Sequence, residues 1–259
     1  VGNVVIGGNA HKNTAASHYS IAIGYGSMEY HGTGITGNIA IGYYAGWGLG
    51  AAGNIAIGYN AMRRQLDGAR NMAIGYEAMK DTDGGSASGS YDNVFIGYQA
   101  GGGTWASAIS SHNVGVGNSV MDGALDGALR NTAVGYDALG SLTSGDNNTV
   151  IGDAAGKSIT TGGANTILGT FAGDSLTTHS GMVVIGYDAF SAADSGEDYN
   201  VVIGYQAGNS INDASADQNV IIGYNAGQGG AATFRYNVAI GANALNSTGT
   251  NASTEGQIA

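Results

Sequence analysis

The feature that most constrains this chain is a pair of residues, most often Ile-Gly, that recurs along almost its whole length. The glycine runs from Gly7 to Gly241 in thirteen intervals, a mean spacing of 18 residues. The preceding residue is Ile eleven times, Val twice and Leu once; the residue four before is Asn in twelve copies, and the residue three after is Ala in twelve. The fourteen glycines are Gly7, Gly24, Gly42, Gly58, Gly75, Gly97, Gly117, Gly135, Gly152, Gly169, Gly186, Gly204, Gly223 and Gly241. A repeat of this kind indicates stacked units that bury their apolar surface against their neighbours.

Each repeat reads as a short strand closed by a bend. The segment before the glycine is apolar and rich in Ile and Val, and the glycine indicates a bend where a side chain is excluded or φ is positive. Coils of this length hold short strands and turns, and stacked coils form parallel sheets. We therefore predict an all-β parallel β-roll or β-solenoid of about 14 coils over residues 1–246. Residues 247–259 are predicted to be a C-terminal exit segment leading into further chain.

The recurring asparagine predicts a structural ladder. At the same corner of successive coils, each Asn amide can bond to the coil above and the coil below, and the Tyr that follows the glycine in nine repeats can stack its ring in the same way. The ladder residues are Asn3, Asn38, Asn54, Asn71, Asn93, Asn113, Asn131, Asn148, Asn165, Asn200, Asn219 and Asn237.

The strand is apolar on both faces. In the repeat at Gly58, Ile55 and Ile57 share one face and Ala56 takes the other. Across the repeats the Ala56 position is Ala, Val, Ile, Phe or Gly and never polar. A single solenoid has only one interior, so we predict that the Ala56 face packs against further copies of the chain. The alternative is that this face simply exposes Ala and Val.

Charge and composition exclude several classes of partner. Only 10% of residues are charged and the net charge is −11, which argues against binding to nucleic acid or to an anionic membrane surface. The chain has no Cys, so it has neither a disulfide framework nor a Cys-based zinc site. No apolar run approaches the length of a membrane-spanning helix. The sequence begins inside a repeat, which suggests a fragment of a longer chain or a processed one.

The motifs that could carry chemistry are weak. Gly152–Ser158 resembles a phosphate-binding loop but has one residue too few between its glycines, and it coincides with the ordinary repeat. The five histidines, which form no metal-binding pattern, are predicted to be exposed loop residues. They are His11, His18, His31, His112 and His179.

Paired acids and paired threonines are equally scattered. Asp81/Asp83 and Glu197/Asp198 lie in predicted turns and are interpreted as solvated charges, with calcium binding as the alternative. The adjacent pairs Thr160-Thr161 and Thr177-Thr178 occupy too few coils for an ice-binding ladder. No Asp or Glu recurs in register, so we predict no catalytic residues, no metal, no cofactor and no enzymatic activity. The alternative, a solenoid enzyme acting on polysaccharide, would need a pair of carboxylates on one face.

The regular spacing breaks between Gly75 and Gly117, where segments 81–90 and 101–111 lengthen two coils. Insertions in repeat proteins map to surface loops that often bind partners. Trp105 lies in the second insert and Trp47 in an earlier turn. We predict both as candidate receptor contacts, since an exposed Trp can stack on a sugar or anchor a protein. The alternative is that the indole folds back over the coil edge.

Two repeats resemble a known family. Asn131–Leu139 and Asn200–Gly208 are similar to repeats of phage and bacterial surface fibres and to the head repeats of YadA-type trimeric autotransporter adhesins. The resemblance implies a left-handed β-roll with three chains around one axis. Adhesin head repeats are usually shorter than these, which favours the viral fibre.

The resemblance thus implies a structural and adhesive fibre segment at the virion surface, in a phage tail or capsid fibre. Its expected partners are two further copies of itself, neighbouring fibre, baseplate or capsid proteins, and a host surface glycan or protein. We expect no nucleic acid partner and no membrane insertion. The alternative is the head of a bacterial trimeric adhesin at the cell surface.

Overall fold

The computed structural model describes residues 2–13, 17–30, 35–64, 67–82, 89–105, 107–192, 196–212, 215–228, 234–246, 254–256 and 258–259. In these residues it contains short strands and turns and no helix. The strands are β1 (Val4–Ile6), β2 (Ile21–Ile23), β3 (Ile39–Ile41), β4 (Ile55–Ile57), β5 (Met72–Ile74), β6 (Val94–Ile96), β7 (Val114–Val116), β8 (Thr132–Val134), β9 (Thr149–Ile151), β10 (Thr166–Leu168), β11 (Val183–Ile185), β12 (Val201–Ile203), β13 (Val220–Ile222), β14 (Phe234–Arg235), β15 (Val238–Ile240) and β16 (Thr254–Glu255).

The strands that precede the repeat glycines follow one another, in chain order, in one parallel sheet of fourteen strands. The all-β solenoid with about 18 residues per turn is therefore confirmed. The chain divides into two compact units, Val1–Asn131 and Thr132–Ala259. In the first, Ile55 pairs with Met72 and Ile57 with Ile74; in the second, Thr149 pairs with Thr166. Each pair occupies the same repeat position, so the register follows the sequence repeat.

The repeat glycine is required by the close stacking of the coils. Gly58 has φ 136° and Gly75 has φ 142°, both outside the range that other residues adopt readily. A Cβ on Gly58 would overlap the carbonyl of Gly75 in the next coil. Both the positive φ and the close approach of the next coil therefore exclude a side chain at this bend.

Further bends use left-handed residues other than glycine. Around Gly75, positive φ occurs at Arg70 (56°), Glu77 (55°) and Met79 (49°), and the equivalent positions of other coils repeat the pattern. Such single left-handed residues reverse the chain direction at a conformational cost for a residue with a Cβ.

The interior is filled by small residues from the strand and larger ones from the turns. Ala56, Ala61 and Met62 are all fully buried. Where the Met62 position is glycine, as at Gly173, Leu176 from the following turn occupies the space, and its Cδ1 would lie 2.6 Å from an added Cβ. The narrow interior is thus packed by alternating sizes at facing positions.

The prediction that the Ala56 face turns outward was wrong. Ala56 is fully buried, whereas Ile55 and Ile57 are only partly covered. The physical reason is space, because the turn residues Ala61 and Met62 are buried as well and leave room in this coil for only a small strand side chain. The apolar face left outside is therefore the Ile face.

The ladder asparagines link the coils. Asn71 Oδ1 accepts from both the backbone N and Nδ2 of Asn93, each at 3.0 Å, while Asn71 Nδ2 donates to the Ser90 carbonyl at 2.9 Å. Asn219 makes the equivalent bonds to Asn200 at 2.9 Å. All the ladder asparagines except Asn3 are buried. Each amide therefore satisfies backbone groups that the tight corner would otherwise leave unpaired.

Within the predicted exit segment at 247–259, the described residues pair with the preceding coil. β16 pairs with β14, Ile258 bridges to Val238, and Ile240 N donates to the Ala259 carbonyl at 2.9 Å. Ile258-Ala259 repeats the Ile-Ala of earlier strands, which explains why it stacks in register as the start of another coil. Residues 247–253 lie outside the described part of the chain.

Candidate functional surface

The surface with the most distinctive chemistry is the outer side of the parallel sheet. We call it the outer face and define it by the residues three before, one before and one after each repeat glycine, such as Ile55, Ile57 and Tyr59. Alternation along the strand puts Ile55 and Ile57 on the same side, and Tyr59, just past the bend at Gly58, is exposed as well. The first two rows contain only Ile, Val, Met, Leu and Thr in all fourteen repeats, and the third row contains one charged residue, Asp153. Apart from Asp153, the outer face is therefore an uncharged and largely apolar strip in a chain of net charge −11.

Tyrosines form stacked rows along one edge of the outer face. Tyr43, Tyr59, Tyr76 and Tyr98 stack in succession with ring centroids 5.0–5.3 Å apart and planes within 9° of parallel. In the second unit, Tyr205 stacks between Tyr187 and Tyr224. The ring faces cover one another, so the rows present ring edges and hydroxyls, with Tyr59 43% exposed.

Polar residues interrupt the outer face at β8–β10. Thr132, Thr149 and Thr166 replace the first apolar row, and they pair in register across the three strands. In the third row, Tyr gives way to Asp153 and Thr170. We call these five residues the polar window. Thr149, Asp153 and Thr166 are exposed.

The window also uncovers the apolar residues beside it. Ile151 is 41% exposed and Leu168 45%, whereas Ile57, beside a Tyr ladder, is only partly exposed. Tyr136, whose row neighbour in the next coil is Asp153, is 58% exposed. Within the second unit, the outer face thus changes from an open polar strip at β8–β10 to a strip covered by tyrosine rings at β11–β13.

The two tryptophans predicted as receptor contacts have different environments. Trp105 is fully buried, so the prediction that it is a receptor contact was wrong. Its ring packs edge-on against Phe95 at 5.9 Å, and its Nε1 donates to the Gly101 carbonyl at 3.1 Å. The second insert therefore supplies a core residue. Trp47 is half-buried, edge-on to Tyr30 at 5.0 Å, and stays a candidate contact. Of the first insert, residues 83–88 lie outside the described residues.

The prediction of exposed histidines fails at His179, and that of solvated loop charge fails at Glu197. Both side chains are fully buried and His179 Nε2 lies 2.6 Å from Glu197 Oε2. Thr177 N donates to His179 Nδ1 at 3.0 Å, so in the neutral ring the proton lies on Nε2 and is donated to the carboxyl group. Glu197 Oε1 is buried without a hydrogen-bond partner within the described chain. The pair spans successive coils, since its members are 18 residues apart.

The other histidines and paired acids are surface groups or lie outside the described residues. His18 and His112 are exposed and His11 is half-buried, while His31 lies outside the described residues, as does Asp83. Asp198 Oδ1 accepts from Ser180 N at 2.7 Å, a bond between coils.

The loop at Gly152–Ser158 is an ordinary coil. Gly152 has φ 145° like other repeat glycines. Lys157 Nζ lies 2.8 Å from Asp137 Oδ2, and this hydrogen bond raises the pKa of the lysine. The threonine pairs also join successive coils, because Thr160 Oγ1 donates to the Thr177 carbonyl at 3.3 Å.

The described residues contain no group of three or more His, Cys, Asp or Glu that could hold a metal ion. Nor does this part of the chain contain a helix long and apolar enough to cross a membrane. Comparison with protein-family models, curated proteins and solved structures finds no match to the chain.

Proposed function

We propose that this chain is a structural and adhesive segment of a virion fibre, in a phage tail or capsid fibre, in which three copies associate through their outer faces. The observation that carries the proposal is the outer face itself. Contiguous apolar surface rarely stays exposed on a soluble protein unless it meets a partner. Here Ile or Val recurs on nearly every strand of the main sheet, Tyr follows the repeat glycine in nine of fourteen repeats, and the first two rows carry no charge.

The fold supports a mechanical role. Each coil is joined to the next by backbone bonds, and most coils also by buried asparagine amides or stacked tyrosines, so similar bonds recur from coil to coil. Stability in such a stack is the sum of coil and interface contributions, which suits a spacer. The mean repeat of 18 residues favours a virion fibre over the shorter repeats of bacterial adhesin heads, which stay the alternative.

The first test is the mass of the purified chain in solution. Sedimentation or native mass spectrometry should give three copies. Ile203→Asp with Ile222→Asp, two charges in the central row of the outer face, should give a folded single chain because buried unpaired carboxylates oppose association. Thr161→Asp with Thr178→Asp adds the same charge at exposed sites in the turns and should leave the mass unchanged. A single chain for the unmodified protein contradicts the proposal.

Surface attachment requires a contact outside the associating face, and Trp47 is the remaining aromatic candidate. Glycan-array binding should fall in Trp47→Ala if its partly exposed indole contacts a sugar. Binding that survives this change would assign attachment to other residues or to a neighbouring fibre, baseplate or capsid protein.

A further inference from the structure

The outer face has a weakness as an interface between copies, which is its uniformity. Strands β11, β12, β13 and β15 present the same Val-x-Ile pattern, and each half-buries its two outer residues in nearly the same way. Sliding one copy past another by one coil, about 4.8 Å, would replace each contact by an equivalent one. An apolar strip of this kind therefore specifies register poorly.

We propose that the polar window sets a parallel, in-register alignment of the copies that associate through the outer face. The inference rests on the self-association proposed above and goes beyond it, because association alone does not select an alignment. The partner is a second copy of this chain, and the window acts as a polar layer does in a coiled coil, where it penalises misaligned partners.

The window satisfies itself only when the copies are aligned. In register, the hydroxyls of Thr149 and Thr166 meet window residues of the next copy, which supply both donors and acceptors. Shifted by three coils, they lose the polar residues of the neighbouring window and lie beside strands β11–β13, whose outer residues are Val and Ile flanked by a stacked Tyr row.

Asp153 strengthens this selection. When copies are related by rotation about an axis along the stack, the Tyr-side edge of one outer face adjoins the Thr-side edge of the next. In register this places Asp153 of one copy beside Thr149 of its neighbour, so that a hydroxyl donates to the carboxylate. After a shift of two or more coils, Asp153, the only charge in the three rows, adjoins apolar first-row residues such as Val183, and burial of an unpaired carboxylate is costly.

The position of the window selects the parallel direction. In the second unit it occupies β8–β10, the first three of seven strands in the main sheet, while the last four are apolar. Antiparallel copies of this unit would oppose the threonines to valines. Parallel copies bring window beside window.

Single-cysteine cross-linking tests the alignment, because the chain has no Cys of its own. Ile185→Cys and Ile222→Cys introduce thiols in β11 and β13, two coils apart in the central row. The two single-Cys chains are mixed, refolded together and oxidised, and like and mixed disulfides are counted by mass spectrometry. In-register alignment predicts that 185–185 and 222–222 links exceed 185–222 links by about tenfold over the statistical ratio.

Removal of the window should abolish the preference. In a background of Thr149→Ile, Asp153→Tyr, Thr166→Val and Thr170→Tyr, which restores the residue types of other strands, the ratio should fall to within about twofold of the statistical value. A matched control with Thr161→Ile and Thr178→Val alters threonines in the turns and should keep the original ratio. If the fourfold variant does not fold, the isosteric pair Thr149→Val and Thr166→Val replaces it, with the same direction expected.

The outcomes separate the two proposals. A chain that sediments as a single copy and forms no disulfide overturns both. Self-association with statistical links in the unmodified chain, or with the original preference retained in the window variant, overturns the register proposal alone.

Discussion

Phe95 in β6 lies directly against Gly115 in β7. A Cβ added to Gly115 would be 2.6 Å from Phe95 Cδ1, and one added to Gly101 would be 2.8 Å from the same atom. Phe95 is the one aromatic residue at a strand position that is otherwise aliphatic or glycine, and it is fully buried. The absence of a side chain at Gly115 therefore makes room for the ring.

This relationship predicts strong coupling between the two positions. Gly115→Ala should destabilise the chain by about 1–3 kcal/mol through overpacking. Phe95→Ala should cost roughly 3–5 kcal/mol through the cavity it leaves beside Trp105. The double variant restores the common Ala-Ala pairing, so it should be more stable than the sum of the single losses indicates. Urea unfolding of the four proteins measures the coupling.

Gly89→Ala is the matched control for the glycine change. An added Cβ there meets Ile109 Cδ1 at an ordinary 3.5 Å, so little change in stability is expected. If the losses of stability in Phe95→Ala and Gly115→Ala simply add in the double variant, the contact between the two residues does not explain why they occur together.

A second prediction concerns the buried His179–Glu197 pair. His179→Ala leaves the Glu197 carboxyl buried with neither oxygen partnered, and should cost about 3–5 kcal/mol of unfolding free energy. The double variant His179→Leu with Glu197→Met removes the polar groups together and should recover a large part of that loss. Denaturant unfolding at neutral pH provides the comparison.

His112 supplies the control for that pair. It lies 3.7 Å from Asp92 with the imidazole 46% exposed, so His112→Asn should change stability by less than about 1 kcal/mol. Equal losses at His179 and His112 would contradict the importance of burial.

The sequence carried the fold because the spacing repeats, but it did not orient the strand. Alternation places Ile55 and Ile57 together and Ala56 opposite, yet it is silent on which side is the interior. The larger side chains of Ile55 and Ile57 suggested that their face was the interior. Instead, Ala61 and Met62 already fill the interior of this coil, and the small Ala56 faces it. The Phe-to-Gly exchange between Phe95 and Gly115 was a usable signal, since an exposed face needs no such compensation.

The site residues were predicted less well, because side-chain contacts between coils depend on position within the repeat. His179 and Glu197 looked like unrelated loop residues, although their separation of 18 residues is one coil. Trp105 lies in an insert and was expected at the surface, but its ring is buried and packs against Phe95. The asparagines, by contrast, occupy one invariant position, and their bonds follow from the repeat alone.

A third prediction concerns the left-handed bends. Ala164 is exposed with φ 57°, and the equivalent residue of the next coil is Gly181 with φ 68°. Ala164→Gly should raise stability by roughly 0.5 kcal/mol, because relief of the left-handed strain exceeds the entropy lost by glycine. Gly181→Ala should lower it by more than about 1 kcal/mol, since the new methyl also meets Tyr199 Cδ1.

The control for the bends is an alanine without positive φ. Ala52 is exposed, and Ala52→Gly should destabilise by roughly 0.5–1 kcal/mol, opposite in sign to Ala164→Gly. Thermal unfolding of the three variants decides the matter, and a loss of stability in Ala164→Gly would refute the assignment of strain to this bend.

The last prediction is a pH dependence at Asp174. Burial, and then the nearby carboxylate of Asp188, raise the pKa of Asp174, and its Oδ1 is buried without a hydrogen-bond partner in the described chain. A raised pKa means that the folded state holds the proton more tightly than the unfolded state does. Ionisation therefore opposes folding at pH values above the raised pKa, and this penalty disappears as the pH falls through that pKa towards the ordinary carboxyl range near about 4.

Asp174→Asn should accordingly be more stable than the unmodified chain at pH 7, by less than about 1 kcal/mol because the group is only half-buried. The advantage should shrink as the pH is lowered and vanish near about pH 3, where Asp174 is protonated in the folded and the unfolded state alike. Asp67→Asn removes the same charge from an exposed site in the other unit and tests whether net charge alone produces the effect. Urea unfolding across this pH range would contradict the prediction if the two variants gained equally, or if the gain at Asp174 persisted in acid.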